Sequence, residues 1–152
     1  MALARDECYY LDTSALVKRY VEEPGSEVVD SIYAKAYRGL AVIAASYWNV
    51  AEAAVVFDKY ERRLRLSARH LMEALLRESR TLAGLLRLKL VPISPTLIQE
   101  TIELVLKLHM YSADALQIVS ARYANCKYLV TADRRLADAA AAENLEAITV
   151  GV

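Results

Sequence analysis

Tyr9-Tyr10-Leu11-Asp12-Thr13-Ser14 is the stretch that decides the architecture. An apolar run stops on a carboxylate and two hydroxyls, and a helical pattern follows. Tyr128-Leu129-Val130-Thr131-Ala132-Asp133 repeats the arrangement near the other end of the chain. Short runs that are apolar throughout read as strands buried on both faces. The polar residues mark where each strand leaves the sheet. In a parallel α/β sheet those exits are the carboxyl ends of the strands, where ligands bind. Two aspartates far apart in sequence are thereby directed to one place.

The sequence between them alternates in the same manner. A strand over residues 8–11 precedes a short helix over 13–22, which stops before the breaker pair Pro24-Gly25. Ser26 opens a second helix, with Val28, Val29, Ile32 and Tyr33 as its apolar stripe, ending near Gly39. A strand follows at 40–45. Ser46 caps a helix running to about Leu64, with Val50, Ala53, Ala54 and Phe57 on one face. Ser67 caps the next, lined by Leu71, Leu75, Leu82, Leu85 and Leu86. Residues 89–93 form a short strand in which Pro92 marks a sheet edge or an early stop. Ser94 and Pro95 suit the cap and first turn of another helix, and Ser112 begins one more. Strands at 128–131 and 147–150 flank an Ala-rich helix at 134–143. Five short strands joined by helices predict one α/β domain over residues 1–152, a five-stranded parallel sheet flanked by helices on both faces.

Composition agrees. The chain has 152 residues, enough for one domain, and 56% hydrophobic content, well above that of disordered chains. Nineteen basic residues balance nineteen acidic ones, which excludes nucleic-acid binding through bulk charge alone. The distribution is uneven: residues 59–89 hold nine Lys or Arg against three acids. A solvated, ion-paired helix face accounts for this, and a nucleic-acid grip is the alternative. The longest uncharged run, 39–51, is too short to span a bilayer. The start of the chain, with Arg5, Asp6 and Glu7, does not resemble a signal peptide. These features predict a soluble, cytoplasmic protein with no membrane partner. Cys8 and Cys126 fit no metal-ligand spacing. Two buried reduced thiols are the default, and a disulfide is the alternative if their strands are parallel neighbours and the host is a hyperthermophile.

Two further acids sit in apolar surroundings. Glu52 lies in Trp48-Asn49-Val50-Ala51-Glu52-Ala53-Ala54-Val55-Val56, and Asp114 in Ser112-Ala113-Asp114-Ala115-Leu116. Each acid has a structural reading. Asp12 and Asp133 can cap helices, and Asp114 can favour a helix dipole. Glu52 lacks a basic partner at i+3 or i+4, where Val55 and Val56 stand. Four such acids on one side of a sheet, without His or Cys ligands, instead suit a hard cation such as Mg2+ or Mn2+. His70 has no reason to join them, and His109 falls at most on a rim. The scattered glycines (Gly25, Gly39, Gly84, Gly151) form no phosphate loop.

In this order, Leu11-Asp12-Thr13-Ser14-Ala15-Leu16-Val17-Lys18, the Glu52 helix, Ser112-Ala113-Asp114-Ala115-Leu116 and Val130-Thr131-Ala132-Asp133 resemble the PIN-domain ribonucleases. More narrowly they resemble the VapC-type toxins of toxin–antitoxin pairs. The resemblance covers almost the whole chain. It implies a Mg2+- or Mn2+-dependent endoribonuclease that hydrolyses RNA phosphodiesters, with catalytic and metal-holding roles for Asp12, Glu52, Asp114 and Asp133. It implies support from Ser14 and Thr131, and from Asp138 as an outer acid. A small antitoxin that inserts a basic side chain and a homodimer are the implied partners, the dimer using helices around 28–37 and 50–57. It also implies that strand one neighbours strand four, which would bring Cys8 and Cys126 close. The chain departs from the pattern at Gln117, where many relatives carry His, and Tyr111 precedes the motif. The alternatives are a catalytically silent scaffold for RNA or protein, and a phosphohydrolase with an aspartyl nucleophile. Asp12-Thr13-Ser14 lacks the second acid that the latter chemistry uses.

Overall fold

The computed structural model describes residues 6–152; Arg5 and the rest of residues 1–5 of the expected domain lie outside the described residues. The strands are β1 Glu7–Leu11, β2 Ala41–Ser46, β3 Leu88–Val91, β4 Tyr128–Thr131 and β5 Glu146–Thr149. All pairings are parallel, in the order β3-β2-β1-β4-β5. The chain winds outward from β1 in one direction through β2 and β3. It resumes on the other side with β4 and β5, so the switch point lies between β1 and β4. Tyr9 pairs with Tyr128 and Leu11 with Val130, which brings the two opening stretches side by side.

The helices are α1 Thr13–Leu16, α2 Ser26–Tyr37, α3 Tyr47–Leu64, α4 Ala68–Gly84, α5 Pro95–Leu108, α6 Ser112–Tyr123 and α7 Arg134–Ala142. Ser46, Ser67 and Ser94 cap α3, α4 and α5, accepting from Trp48 N, His70 N and Leu97 N at 3.0, 3.3 and 3.1 Å. Each cap is worth about 1 kcal/mol. Period-two alternation divides the core. Tyr10, Val42, Ala44 and Leu129 face α5, α6 and α7 through Leu97, Leu104, Leu116, Ile118 and Leu136. Tyr9, Leu11, Ile43 and Val130 face the other layer through Leu16, Val29, Ile32, Tyr33, Phe57, Leu75 and Leu82.

One expectation needs correction. The helix expected over 13–22 lasts one turn and tightens into a 3-10 turn at Val17–Arg19, well before Pro24-Gly25. Ala15, Leu16, Val17 and Val21 are buried in this segment. β3 stops at Val91, just before Pro92, and lies at the sheet edge, so both readings of Pro92 hold. The helices proposed for a dimer surface spend most of their apolar face on the core: Val29, Ile32, Tyr33, Ala53 and Phe57 are buried, leaving Val28, Tyr37 and Val55 exposed. A more continuous exposed stripe runs along α5 at Ile98, Ile102 and Leu106, spaced four apart.

The turn before α2 shows why glycine stands at both its corners. Gly25 has φ +94, and a Cβ there would lie 2.7 Å from Gly151 N. Gly151 has φ +71, and a Cβ there would lie 2.3 Å from Pro24 O. Only two side-chain-free residues allow the segment after β5 to close against this turn. Among the described residues no helix is long and apolar enough to cross a membrane.

Candidate active site

Asp12 leaves β1 in extended backbone (φ −73, ψ 177) and caps α1. Its Oδ1 accepts from Ala15 N at 2.9 Å and from Ser14 Oγ at 2.6 Å; its Oδ2 accepts from Thr131 Oγ1 at 2.5 Å. Asp12 is only 6% exposed. Burial pushes its carboxyl above the usual range, the three donors oppose that rise, and the charge of Asp133 adds to it. Ser14 and Thr131 therefore converge on Asp12. Ser14 Oγ also accepts from Ala132 N at 2.8 Å, and Thr131 Oγ1 accepts from Asp133 N at 2.9 Å, tying the β4 exit to the β1 exit.

Asp133 caps α7, its Oδ1 accepting from Arg135 N at 2.8 Å and Leu136 N at 3.4 Å. Its other oxygen is left for the cleft. Glu52, in the second turn of α3, accepts from Thr13 Oγ1 at 2.7 Å through Oε1. Asp114, in the first turn of α6, has no donor among the described residues. Its pKa is raised by burial first, then by the charges of Asp133 and Glu52. Asp12, Glu52, Asp114 and Asp133 all line one cleft of about 190 Å3, with Thr13, Ser14, Ala113, Gln117 and Leu136. Among the described residues no Lys, Arg or His lines it.

Asp138 stands apart. It lines a neighbouring cavity of about 440 Å3 with His109, Tyr111, Asp114 and Arg135. His109 belongs to that cavity, and His70 lies exposed on α4. Arg62, Arg65 and Arg69 share no helix face, because α3 ends at Arg65 in a left-handed conformation (φ 56) and α4 starts at Ala68. Among the described residues no three His, Cys, Asp or Glu side chains are drawn together tightly enough to hold an ion as they stand. Like charges in one cleft hold each other apart. The donor set still fits a hard divalent cation: all-oxygen, carboxylate-rich and without a compensating cation. An ion of the Mg2+ type keeps several waters and needs only one or two direct carboxylates.

Sequence reading did not reach Thr13, Asn49 and Tyr10, which stand behind Glu52, and it noted Gln117 only as a departure. Asn49 Nδ2 donates to Thr13 Oγ1 at 2.9 Å and to Gln117 Oε1 at 2.8 Å; Tyr10 OH donates to Gln117 Oε1 at 2.8 Å.

Fold and cleft together define a class: a single-domain α/β protein with carboxylates gathered at the switch point of a parallel sheet. Within it, the chain belongs to the PIN domain family, which matches residues 9–142. Three solved structures share the fold. The toxin VapC20 of Mycobacterium tuberculosis, described as cleaving the sarcin-ricin loop, aligns with a TM-score of 0.66 and 13% identity, over 91% of this chain and 97% of that one. VapBC2 of Rickettsia felis, solved with a fragment of promoter DNA, aligns at 0.63 and 20% identity, over 94% and 98%. FitAcB of Neisseria gonorrhoeae aligns at 0.60 and 18%, over 93% and 96%. No curated protein matches the sequence.

Proposed function

We propose that this chain is a divalent-metal-dependent endoribonuclease that hydrolyses RNA phosphodiesters and serves as the toxin of a toxin–antitoxin pair. The observation that carries the proposal is the cleft where Asp12, Glu52, Asp114 and Asp133 meet without a basic side chain among the described residues. Membership of the PIN domain family and fold-level likeness to a sarcin-ricin-loop-cleaving toxin support the choice of RNA.

Asp12, Glu52, Asp114 and Asp133 would hold Mg2+ or Mn2+. When bound, such an ion lowers the pKa of water and stabilises charge on phosphoryl oxygens. The chain's own residues set the geometry. Asp12 is fixed at both oxygens and forms the rigid floor of the cleft. Ser14 and Thr131 act by holding it. Glu52 and Asp133 each have one oxygen committed to the protein and one directed elsewhere. Asp114, with no protein donor, is the acid most free to adjust. The bare cleft repels a phosphodiester, so its carboxylates alone cannot seat the substrate. Asp138, in the adjoining cavity with Arg135, is placed to influence the approach of RNA and not the floor of the site. A cytoplasmic setting, a small antitoxin that neutralises the acids with a basic side chain, and a homodimer using the exposed α5 stripe complete the proposal.

The test is cleavage of a panel of single-stranded and hairpin RNAs by purified protein in Mg2+, Mn2+ or EDTA, beside Asp12→Asn. Cleavage with either ion, absent in EDTA and lost in the variant, is the expected result. A folded wild-type chain that binds Mn2+ calorimetrically but cuts no RNA would establish the silent scaffold instead.

A further inference from the structure

We infer that Asn49 and Gln117 are positioning residues that act through Thr13 to orient Glu52 in the acid cleft. Neither is assigned a role above, and neither touches another carboxylate of the cleft. Tyr10 and Asn49 are fully buried and Gln117 is 4% exposed, so each of their polar atoms needs a partner inside the protein.

Following the protons makes Asn49 the hub, donating to Gln117 on one side and to Thr13 on the other. Gln117 Nε2 donates to Ala113 O at 3.1 Å, which fixes the amide so that Oε1 faces Tyr10 and Asn49. Tyr10 OH lies 2.8 Å from Gln117 Oε1 and 3.0 Å from Asn49 Oδ1, both acceptors, so the phenol is the donor. Burial pushes its pKa up, which keeps the proton in place. Asn49 Oδ1 accepts from Ser46 N at 2.7 Å, closing the capping box of α3. That bond turns Nδ2 toward Gln117 and Thr13, and its two hydrogens are then both committed. Thr13 Oγ1 receives one of them. Its own proton is left for Glu52 Oε1 at 2.7 Å.

The chain Gln117–Asn49–Thr13–Glu52 thus spans α6, α3 and α1 and ends on an acid of the cleft. Nothing else among the described residues donates to Glu52. Without the Asn49 hydrogen, the Thr13 hydroxyl would be free to rotate, and Glu52 would lose its one fixed contact. Outer partners of this kind set the orientation of cation-holding carboxylates. The inference rests on the proposed function in one respect only, that Glu52 faces a divalent ion.

The test uses full-length wild type, Thr13→Val, Thr13→Ser, Asn49→Ala, Gln117→Met and the double variant Thr13→Val/Gln117→Met. Mn2+ affinity is read by calorimetry, kcat and KM on a cleaved RNA, and folding by thermal melt. Thr13→Val should weaken Mn2+ binding about 10-fold, the low end for outer partners, and Gln117→Met, two links further back, about threefold. The loss in turnover should fall on kcat and not on KM, and Thr13→Ser should restore both affinity and kcat. The double variant should bind no more weakly than Thr13→Val alone, because the two changes break one chain. A purely structural role would lower the melting temperature without this non-additivity. If Asn49→Ala does not fold, the Thr13 and Gln117 variants carry the test. Affinities in Gln117→Met within twofold of wild type, or strictly additive losses in the double variant, overturn the inference. If wild type binds Mn2+ without cutting RNA, the ribonuclease reading fails while the affinities still decide the positioning role. A wild type that binds no Mn2+ overturns both.

Discussion

Thr131 on β4 donates its hydroxyl to Asp12 Oδ2 at 2.5 Å, joining residues 119 apart in sequence across the switch point of the sheet. The same oxygen of Thr131 accepts from Asp133 N at 2.9 Å. One hydroxyl thereby fixes the spacing of two acids from different strands. Thr131→Val should leave a buried carboxylate oxygen unpaired and cost about 1–3 kcal/mol of stability. RNA cleavage should fall about 10–100-fold, in line with loss of an outer partner. Thr131→Ser should recover most of both. Thermal melts and single-turnover rates on the three proteins check this.

Asp114 gives a pH prediction with a definite sign. Burial, Asp133 and Glu52 raise its folded pKa above the unfolded value. The folded state therefore favours the protonated acid. Its penalty is absent below the unfolded pKa and appears as pH rises through the raised folded value. Without divalent ions, Asp114→Asn should melt slightly higher than wild type at neutral pH and equal to it in strong acid. The gain is small because the group is half exposed and screened by water. Saturating Mn2+ should reverse the order, stabilising wild type more than the variant.

Glu78 has the opposite sign. Burial opposes its ionisation, but Arg19, Tyr37 and Tyr20 outweigh that and hold its pKa below the usual range. Arg19 grips both carboxylate oxygens, Nε and Nη2 each at 2.9 Å, while Tyr37 OH donates at 2.8 Å and Tyr20 OH at 3.0 Å. This stability is fully present above the unfolded pKa and is lost as pH falls through the depressed folded value. Glu78→Gln should cost about 2 kcal/mol at pH 7, the scale for hydrogen bonds to a charged group. The melting curves of variant and wild type should draw together in acid.

Cys8 and Cys126 form a disulfide that closes a sequence separation of 118 residues at the amino ends of β1 and β4. Alkylation of the unreduced, denatured protein followed by mass spectrometry should find neither thiol labelled. Reduction should lower stability by about 5 kcal/mol, as expected from the loop-closure entropy of so long a loop. Cys8→Ser/Cys126→Ser should reproduce that loss and leave RNA cleavage unchanged at temperatures where the protein stays folded.

How far the sequence is legible follows the range of the interactions involved. The strand ends at Leu11 and Thr131 and the caps Ser46, Ser67 and Ser94 are visible because they depend on neighbours a few residues away. The placement of Asp12, Glu52, Asp114 and Asp133 on one side followed from strand-exit logic, and one cleft holds all four. The chain behind Glu52 was not legible. Asn49 reaches Gln117 across 68 residues, and nothing local distinguishes such an amide from a surface one. Asp138, five residues past Asp133, reads as a near neighbour in sequence. The helical turn of α7 carries it into the adjoining cavity. The default of two reduced thiols failed for the same reason, since the partner of Cys8 is set by which strand lies beside β1.

The most direct test of the central claim is cleavage of one labelled RNA by wild type and Asp114→Asn side by side, in Mn2+ and in EDTA. Asp114 accepts no hydrogen bond from the described residues, so its replacement removes a carboxylate and little else. Wild type should cut in Mn2+ alone, and the variant should be slowed at least about 100-fold while remaining folded. Equal cleavage in EDTA, or an undiminished rate in Asp114→Asn, would contradict a metal-dependent site built from these four acids.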